Sequence, residues 1–397
     1  MGRIRAVTSH VLLAVAEGSL IAAVVVALIA GTVFAAKGGN SGNSGGRHLG
    51  ADRRAGVAQS QSNATPASPT PAPVATSAPV STPTASPAPV STPAPTTAPA
   101  PAADCSVSLQ SQIDAAPLGS VLDLTGCTYA ASATVSRPLT LVGATINVPA
   151  DTHGVTVSAS DVTLDHLTIN GPQSAVYNGL EMGVYVGATP AAPLQRLTVK
   201  NSVISNFGYG GMYLRNVANF VVSGNTVTDS VYAGIMVLSG ITGTVSGNTV
   251  KRVGVYGSEA NVGNSYGISA STQNPATEPA SQDITIDGNT VETVQHWEAM
   301  DTHGGQRITF SNNIVRYSRR GVMITTGSLS ATDCRVFGNQ FLSPVSIPVD
   351  DQYAVAPVNS TNLSVTGNTI SGWGVGHDII TSYVNPGLTY TGNTITP

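Results

Sequence analysis

Charged, aromatic and sulfur-containing side chains are all scarce in this chain of 397 residues. Lysine, arginine, aspartate and glutamate make up only 10% of it, and a formal net charge of −4 gives no basic surface for a nucleic acid. Three cysteines leave room for no more than one disulfide. A helical period of useful length is missing from the C-terminal half, which excludes a helical fold there.

A charge-free apolar segment lies near the N-terminus. Gly18 to Ala36 contain no charged residue, two arginines precede them, and small residues close the run. This pattern is typical of a signal peptide cleaved near Ala35 or of an uncleaved membrane anchor. Both interpretations of residues 1–36 place the rest of the protein outside the cytoplasm, either secreted or attached to a membrane.

The segment that follows cannot bury a core. From Ala55 to Ala103 it carries no charge and consists mostly of proline, alanine, serine and threonine. Such a composition favours extended, polyproline-like conformations. We therefore expect residues 37–103 to form a disordered linker, rich in glycine and serine at its start, and residues 104–397 to form the folded domain.

A short phrase returns seven times in the C-terminal half. Counted between the asparagines at its third position, the steps are 23, 41, 24, 26, 29 and 25 residues. Repeats of this length are the signature of a solenoid. The phrases are SGNTV at Ser223 and Ser246, DGNTV at Asp287, SNNIV at Ser311, FGNQF at Phe337, and TGNTI at Thr366 and Thr391.

Apolar residues alternate around each of these asparagines. The positions three before and two after are apolar throughout, as Val222 and Val227 are around Asn225. This period of two predicts short strands with one buried face, and the Gly-Asn pair suits a tight bend between them. Coils of about 22–25 residues predict an all-β fold, a single-stranded right-handed parallel β-helix with the asparagines stacked in a ladder.

These repeats resemble the pectin-lyase-like superfamily of right-handed parallel β-helices over about residues 162–397. The resemblance implies the fold and says little about chemistry. Upstream, Leu109 and Ile113 fall on one helical face, which predicts a short capping helix at the N-terminal end. No capping element is visible at the C-terminal end, and an open sheet edge there favours association with a partner chain or a second copy.

The three cysteines divide into a pair and a single residue. Cys105 and Cys127 flank the predicted capping helix, and their place in an exported domain predicts a disulfide. Cys334 falls in an inward column with Ile308 and Leu363, so we expect a buried, inert thiol.

A second apolar alternation begins about ten residues after each asparagine. In Ala299-Met-Asp-Thr-His303 the second and fourth side chains point into the core and the third and fifth point out. Chemistry on a β-helix must use outward positions, because stacked side chains fill its interior. The outward pairs are Tyr213/Arg215, Met236/Leu238, Ser269/Ser271, Asp301/His303, Met323/Thr325 and Ile380/Ser382.

One coil concentrates the polar chemistry of the chain. Residues 296–305 hold two histidines, a glutamate, an aspartate and a tryptophan. The repeat register places Tyr266 of the preceding coil and Arg320 of the following coil beside Glu298. The predicted catalytic residues are Asp301, His303, Glu298, Tyr266 and Arg320. The predicted substrate-binding residues are Trp297, Arg307, His296, His377 and Arg215.

The segment Asp301-Thr302-His303 is similar to the Asp-Pro-His motif of mannuronan C5-epimerases, which are secreted β-helix enzymes acting on alginate. The resemblance implies that Asp301 and His303 act from one strand on a uronate-containing glycan. In that family a tyrosine lies three residues before the aspartate. Here Glu298 holds that place, and Tyr266 is the nearest substitute.

Three functions follow from these residues, and the sequence leaves all three open. A polysaccharide lyase or C5-epimerase would use His303 or Tyr266 for proton transfer, with Arg320 or Arg307 neutralising a uronate carboxylate. A glycoside hydrolase would use Glu298 and Asp301. A non-catalytic glycan-binding or adhesive module would use a surface formed by Tyr185, Tyr213, Met236 and Met323.

A polysaccharide is the predicted partner in each case, and no cofactor is predicted. Related β-helix lyases often use calcium. The only adjacent acidic pair on the repeats is Asp350-Asp351, and it defines no clear calcium site.

Overall fold

The structure, a computed structural model, describes residues 103–254, 264–272, 274–325, 329–342, 344 and 352–396. The N-terminal segment 1–36, the linker up to residue 102 and the pair Asp350-Asp351 lie outside the described residues. Within the described ranges, no helix is long and apolar enough to cross a membrane.

Three parallel sheets run along the described part of the chain. The first nine coils contribute to all three sheets, and the last two described coils contribute a strand to the first and second sheets only. The first sheet contains β1 Val121–Asp123, β4 Leu139–Val142, β7 Val162–Asp165, β10 Leu194–Gln195, β11 Thr198–Lys200, β14 Val217–Ser223, β17 Ile241–Ser246, β20 Gln282–Asp287, β23 Thr309–Ser311, β26 Arg335–Phe337, β29 Ser364–Thr366 and β31 Thr389–Thr391. The second contains β2 Thr128–Tyr129, β5 Thr145–Asn147, β8 Thr168–Asn170, β12 Val203–Ser205, β15 Thr226–Ser230, β18 Thr249–Val253, β21 Thr290–Val294, β24 Ile314–Arg316, β27 Gln340–Leu342, β30 Thr369–Ser371 and β32 Thr394–Thr396. The third contains β3 Ala133–Val135, β6 Val155–Val157, β9 Met182–Gly187, β13 Gly210–Arg215, β16 Ala233–Leu238, β19 Tyr266–Ser271, β22 Glu298–His303, β25 Arg320–Thr325 and β28 Tyr353–Val358.

The predicted parallel β-helix is confirmed by the pairing of these strands. Residues at equal positions of successive coils are register partners, as Val222 is with Val245 and Val227 is with Val250. Their side chains are fully buried and belong to one continuous interior core. The stacking therefore turns the period-two pattern into inward columns of aliphatic residues, as we expected from the sequence.

The asparagine ladder also forms as predicted. The Nδ2 atom of Asn225 donates to Oδ1 of Asn248 at 2.9 Å, and Asn248 donates to Asn289 in the same way. Hydrogen bonds of this kind continue through Asn313, Asn339 and Asn368 to Asn393. Each of these side chains also donates to a backbone carbonyl, which satisfies buried peptide groups at the bend.

Helix α1 spans Leu109–Ala115 and buries Leu109 and Ile113, the two residues whose spacing predicts it. Gln110 ties the helix to β3 through two hydrogen bonds with the backbone of Thr134. Cys105 and Cys127 are joined by a disulfide with a Cα–Cα distance of 5.1 Å. Cys334 is a free cysteine in the core. Closure of the β-helix end by α1 stays a prediction.

The 41-residue step in the repeat is one coil with long connections, not two coils. Strand β18 ends at Val253 and pairs directly with β21, which begins at Thr290. The extra residues lie between β18 and β19 and between β19 and β20. They flank the strand that precedes the polar coil. A further strand, β28, follows β25 and is absent from the alignment that the sequence suggests.

Candidate active site

The register of the third sheet brings the predicted catalytic residues together. Tyr266 pairs with Glu298, and Glu298 pairs with Arg320, so the three side chains occupy one column on consecutive coils. Asp301 and His303 lie on β22 in two adjacent columns. The positions that the repeat assigns to Tyr266, Glu298 and Arg320 are therefore the positions that the structure shows.

Glu298 reaches the outer side of the sheet through an interruption in the alternation. Ala299 and Met300, although adjacent, both belong to the interior core. The preceding coil has Gly267 opposite Ala299, where a Cβ atom would meet Val291 at 2.6 Å, so small residues are required in this inward column. Because one position is skipped, Glu298 faces the same side as Asp301 and His303.

Two carboxylates surround the imidazole of His303. Its Nε2 atom lies 3.2 Å from Oε2 of Glu298 and 3.7 Å from Oδ2 of Asp301. The side chain of His303 is 31% exposed, whereas those of Glu298 and Asp301 are 0% and 1% exposed. Of these three groups, the imidazole alone is open to solvent.

Several outward positions of the third sheet, including that of Asp301, are buried. An outward position on a solenoid is expected to face solvent, but Asp301, Tyr213, Met236 and Leu238 are all buried on the outer side of the third sheet. The last three belong to a second apolar cluster, separate from the interior core. The outer face of this sheet is therefore packed at these positions.

Ser269 and Ser271 hold Asp301 in place. Both hydroxyls donate to its Oδ2 atom at 2.8 Å, and Ser271 also accepts a hydrogen bond from the backbone N–H of His303. These serines occupy the outward positions of β19 that precede Asp301 and His303 in the stack. Their alignment with Asp301 in the repeat is the signal that could have identified them as site residues.

Arg320 closes the other side of Glu298. Its Nη1 atom lies 3.3 Å from Oε1 of Glu298, and its Cζ atom lies 4.2 Å from the ring centroid of Trp297. The guanidinium is thus bound by an anion and an aromatic face together. Trp297, predicted to bind substrate, packs against a charged neighbour within the site.

The environment separates the protonation behaviour of His303 and Asp301. Burial lowers the pKa of His303, but the hydrogen bond and charge of Glu298, together with the charge of Asp301, outweigh it and raise that pKa to about 9. Burial raises the pKa of Asp301 above its ordinary value, and the negative charge of the neighbouring Glu298 raises it further. His303 is therefore an imidazolium at neutral pH, held against two carboxyl groups.

Tyr266 lies edge-on to His303, with ring centroids 6.1 Å apart. Burial is the main cause that raises the pKa of its phenol, followed by the charges of its neighbours. The hydroxyl is therefore protonated throughout the neutral range and is available there as a hydrogen-bond donor, not as a base.

Four predicted substrate-binding residues lie elsewhere or have other partners. Arg307 lies on the exposed bend before β23 of the first sheet and forms a bidentate pair with Asp283 of β20. Arg215 is on the third sheet, but its guanidinium binds Glu278 at 2.6 Å. The ring of His296 hydrogen-bonds the backbone of Gly254. His377 lies three coils beyond Glu298, where it stacks on Tyr353 of the coil before it.

Glu298, Asp301 and His303 offer three ligand atoms within 4.8 Å of one another, a spacing that a small cation could use. The guanidinium of Arg320 already places a positive charge against Glu298, and the imidazolium of His303 places a second one there. The donor set is therefore balanced by this chain's own cations, and we assign no metal to it.

Residues 132–277 match a protein family described as a right handed beta helix region. This match agrees with the handedness expected from the sequence and with the three parallel sheets. No curated protein sequence matches this chain.

Several solved structures are similar to this chain in the path of their backbone. DFA-IIIase from Arthrobacter chlorophenolicus A6, in complex with GF2, is 11% identical with a TM-score of 0.47, covering 69% of this chain and 73% of its own. The Dettilon tailspike protein is 13% identical with a TM-score of 0.43, covering 70% and 61%. The A-module of a mannuronan C-5 epimerase from Azotobacter vinelandii is 15% identical with a TM-score of 0.37, covering 72% and 94%. Identity this low says nothing about chemistry.

Proposed function

We propose that this protein is a carbohydrate-active enzyme in which His303 donates a proton to a glycan. The proposal rests on the difference in exposure between the members of the cluster. The imidazole is partly exposed, while the two carboxylates that hold it are buried. A proton passing between this cluster and a bound molecule therefore passes through His303.

The protonation state of His303 defines its role. With a pKa of about 9, it carries its proton at neutral pH and acts as a general acid. Cleavage of a glycosidic bond requires such a proton on the leaving oxygen. Glu298 is a positioning residue, because it hydrogen-bonds Nε2 and fixes the ring.

Hydrolysis is the reaction that the carboxylates support best. Oxygen atoms of Glu298 and Asp301 lie within 4.8 Å of each other. Retaining glycosidases place their carboxyl groups about 5–5.5 Å apart and inverting ones about 6.5–9.5 Å apart. The pair has the spacing of a retaining enzyme, but Glu298 holds His303 here, so the spacing does not assign the stereochemistry. In the proposed hydrolysis, His303 protonates the leaving oxygen, a water molecule adds its oxygen to the anomeric carbon, and the charge of Asp301 would balance positive charge that develops on the sugar.

A polysaccharide lyase or C5-epimerase acting on a uronate-containing glycan is the second candidate. Asp301 and His303 share one strand face, and Tyr266 lies against His303, which are the parts that the epimerase resemblance requires. This reaction also needs a cation for the substrate carboxylate. Arg320 would have to exchange Glu298 for that carboxylate, and Arg307 lies outside the cluster.

Product analysis on neutral and uronate polysaccharides tests both candidates. New reducing ends without ultraviolet absorbance indicate a hydrolase, an absorbing unsaturated product indicates a lyase, and inverted uronate units indicate an epimerase. H303Q should abolish conversion. H166Q is the matched control, because His166 also contacts an aspartate, Asp165, but is 65% exposed on another face. A wild-type protein that binds glycan without converting it would be a binding module, and the enzymatic proposal would be wrong.

We also propose that the protein acts outside the cytoplasm, through residues 1–36 as signal peptide or anchor. The disulfide between Cys105 and Cys127 supports this, because such bonds persist in oxidising compartments. Cell fractionation with N-terminal sequencing tests it. An intact N-terminus in the membrane fraction indicates an anchor, a processed one in the medium indicates a signal peptide, and a cytoplasmic protein contradicts the proposal.

A further inference from the structure

A row of tyrosines leads along the outer face of the third sheet to the candidate site. It consists of Tyr177, Tyr185, Tyr209, Tyr213, Tyr232 and Tyr266, which we call the tyrosine row. These are six of the 12 tyrosines of the chain. Tyr209 and Tyr213 belong to the second apolar cluster, which is separate from the interior core, and the other four pack against it.

The row is continuous from ring to ring. Tyr185 and Tyr213 stack with centroids 5.8 Å apart, and Tyr209 meets Tyr213 at 5.7 Å. From Tyr209 the contacts pass to Tyr232 at 4.9 Å and then to Tyr266 at 5.4 Å. Tyr266 is the ring that contacts His303, so the last member of the row touches the candidate acid.

The sheet register gives the row a defined relation to the site. Tyr185 and Tyr213 are register partners, and the same column continues through Met236 and Ser269 to Asp301. Strands of the third sheet are about 4.8 Å apart, so Tyr185 precedes Asp301 by about 19 Å along the axis. A chain-like ligand lying along this column would pass over the row before it reaches His303.

Part of the row is available for contact. Tyr177, Tyr185, Tyr232 and Tyr266 are half-buried, while Tyr209 and Tyr213 are buried and support them. Half-buried phenol rings offer an apolar face and a hydroxyl at a surface. Sugar rings present the same two chemistries, because their C–H faces are apolar and their hydroxyls exchange hydrogen bonds.

The cations on the strands beside the row already have carboxylate partners. On the third-sheet strands β9, β13, β16, β19, β22, β25 and β28, the charged residues are Arg215, Glu298, Asp301, His303 and Arg320. Arg215 is bound by Glu278, while Arg320 and His303 are both bound by Glu298. An acidic sugar would have to displace a carboxylate from one of these cations, and that desolvation cost disfavours it. An uncharged sugar needs no such exchange.

We propose that the tyrosine row binds an uncharged stretch of a glycan chain and leads it to His303. This inference rests on the proposed function, since it supplies that site with a substrate class, the neutral polysaccharides. It also favours the hydrolase over the lyase and epimerase, whose substrates carry a carboxylate.

Binding by a variant that cannot turn the glycan over tests the inference. H303Q is incubated with neutral and uronate oligosaccharides of equal length, and affinities are measured by calorimetry. We expect a neutral oligosaccharide to bind more tightly than any uronate. Adding Y185A should weaken that binding about fivefold or more, in line with the strength of aromatic contacts, whereas Y185F should retain most of it.

Tyr317 provides the matched control, because it is 49% exposed and lies outside the row, after β24 of the second sheet. Y317A in the same background should bind as H303Q does, and circular dichroism checks that each variant is folded. Equal binding by folded Y185A, or tighter binding of uronates, overturns the inference and leaves the proposed function standing. If the wild-type protein neither binds nor converts any glycan of the panel, the proposed function fails as well.

Discussion

Replacing Glu298 by glutamine should lower the pKa of His303. Burial alone would lower that pKa, yet it stands raised from 6.5 to about 9, because Glu298 supplies a hydrogen bond and a charge and Asp301 a second charge. A rise of this size corresponds to about 3 kcal/mol of favourable interaction with the imidazolium. Glutamine keeps the shape and loses the charge, so we expect the pKa of His303 to fall by about 1–3 units.

Proton NMR titration of the imidazole signals measures this shift directly. The chain has seven histidines, and the signal that disappears in H303Q identifies His303. E292Q is the matched control, because Glu292 pairs with Lys251 on the second sheet at 3.1 Å and does not contact the site. A pKa of His303 near 6.5 in the wild type, or one that is equal in E298Q, would refute the electrostatic account of the cluster.

The same interaction makes stability depend on pH in a defined direction. Since the pKa of His303 is higher in the folded state, its contribution is fully present below about pH 6.5 and is lost as the pH rises through about 9. The advantage of the wild type over E298Q in unfolding free energy should therefore shrink between about pH 6 and pH 10. Urea unfolding at both pH values measures it, and an unchanged advantage would contradict the prediction.

Three further substitutions test the fold. N289A removes one rung of the buried ladder and should cost about 1–3 kcal/mol in urea unfolding, whereas N147A, which removes an exposed amide bonded to Asn170, should cost little. G267A should be severely destabilising in thermal unfolding because its Cβ would meet backbone and core atoms, while G247A, with open space but a φ of 60°, should cost about 1 kcal/mol. The thiol of Cys334, buried and with its pKa raised to about 11, should resist a thiol reagent in the folded protein and react once the protein is unfolded. Equal effects within either pair, or fast labelling of native Cys334, would contradict these expectations.

The repeat determines most of the fold because its physics is local. Each asparagine and each inward aliphatic residue interacts with its counterpart one coil away, so a correct count along the sequence gives the correct neighbours in space. The same count placed Tyr266, Glu298 and Arg320 in one column. Where the coil length changes, the count fails, and the strand Tyr353–Val358 was missed for that reason.

Burial of the site could not be read from the same pattern. Alternation distinguishes inside from outside on a strand, but it does not say whether other side chains cover the outside. The second apolar cluster and the loop that carries Glu278 cover part of this face, and they involve residues up to 63 positions apart. The outward direction of the Glu298 side chain depends on the adjacent inward positions of Ala299 and Met300, which a strict period of two does not predict.

The asparagine ladder makes the whole coil the unit in which this protein can change length. Every rung donates in the same direction along the axis and bonds to the next rung. A coil inserted between Asn339 and Asn368 would add one rung and leave β19, β22 and β25 untouched, because coils contact mainly their neighbours. Loss of a single residue within a strand would instead turn the side chains that follow to the opposite face. A solenoid of this kind can be lengthened or shortened coil by coil while its chemistry stays on the same three strands.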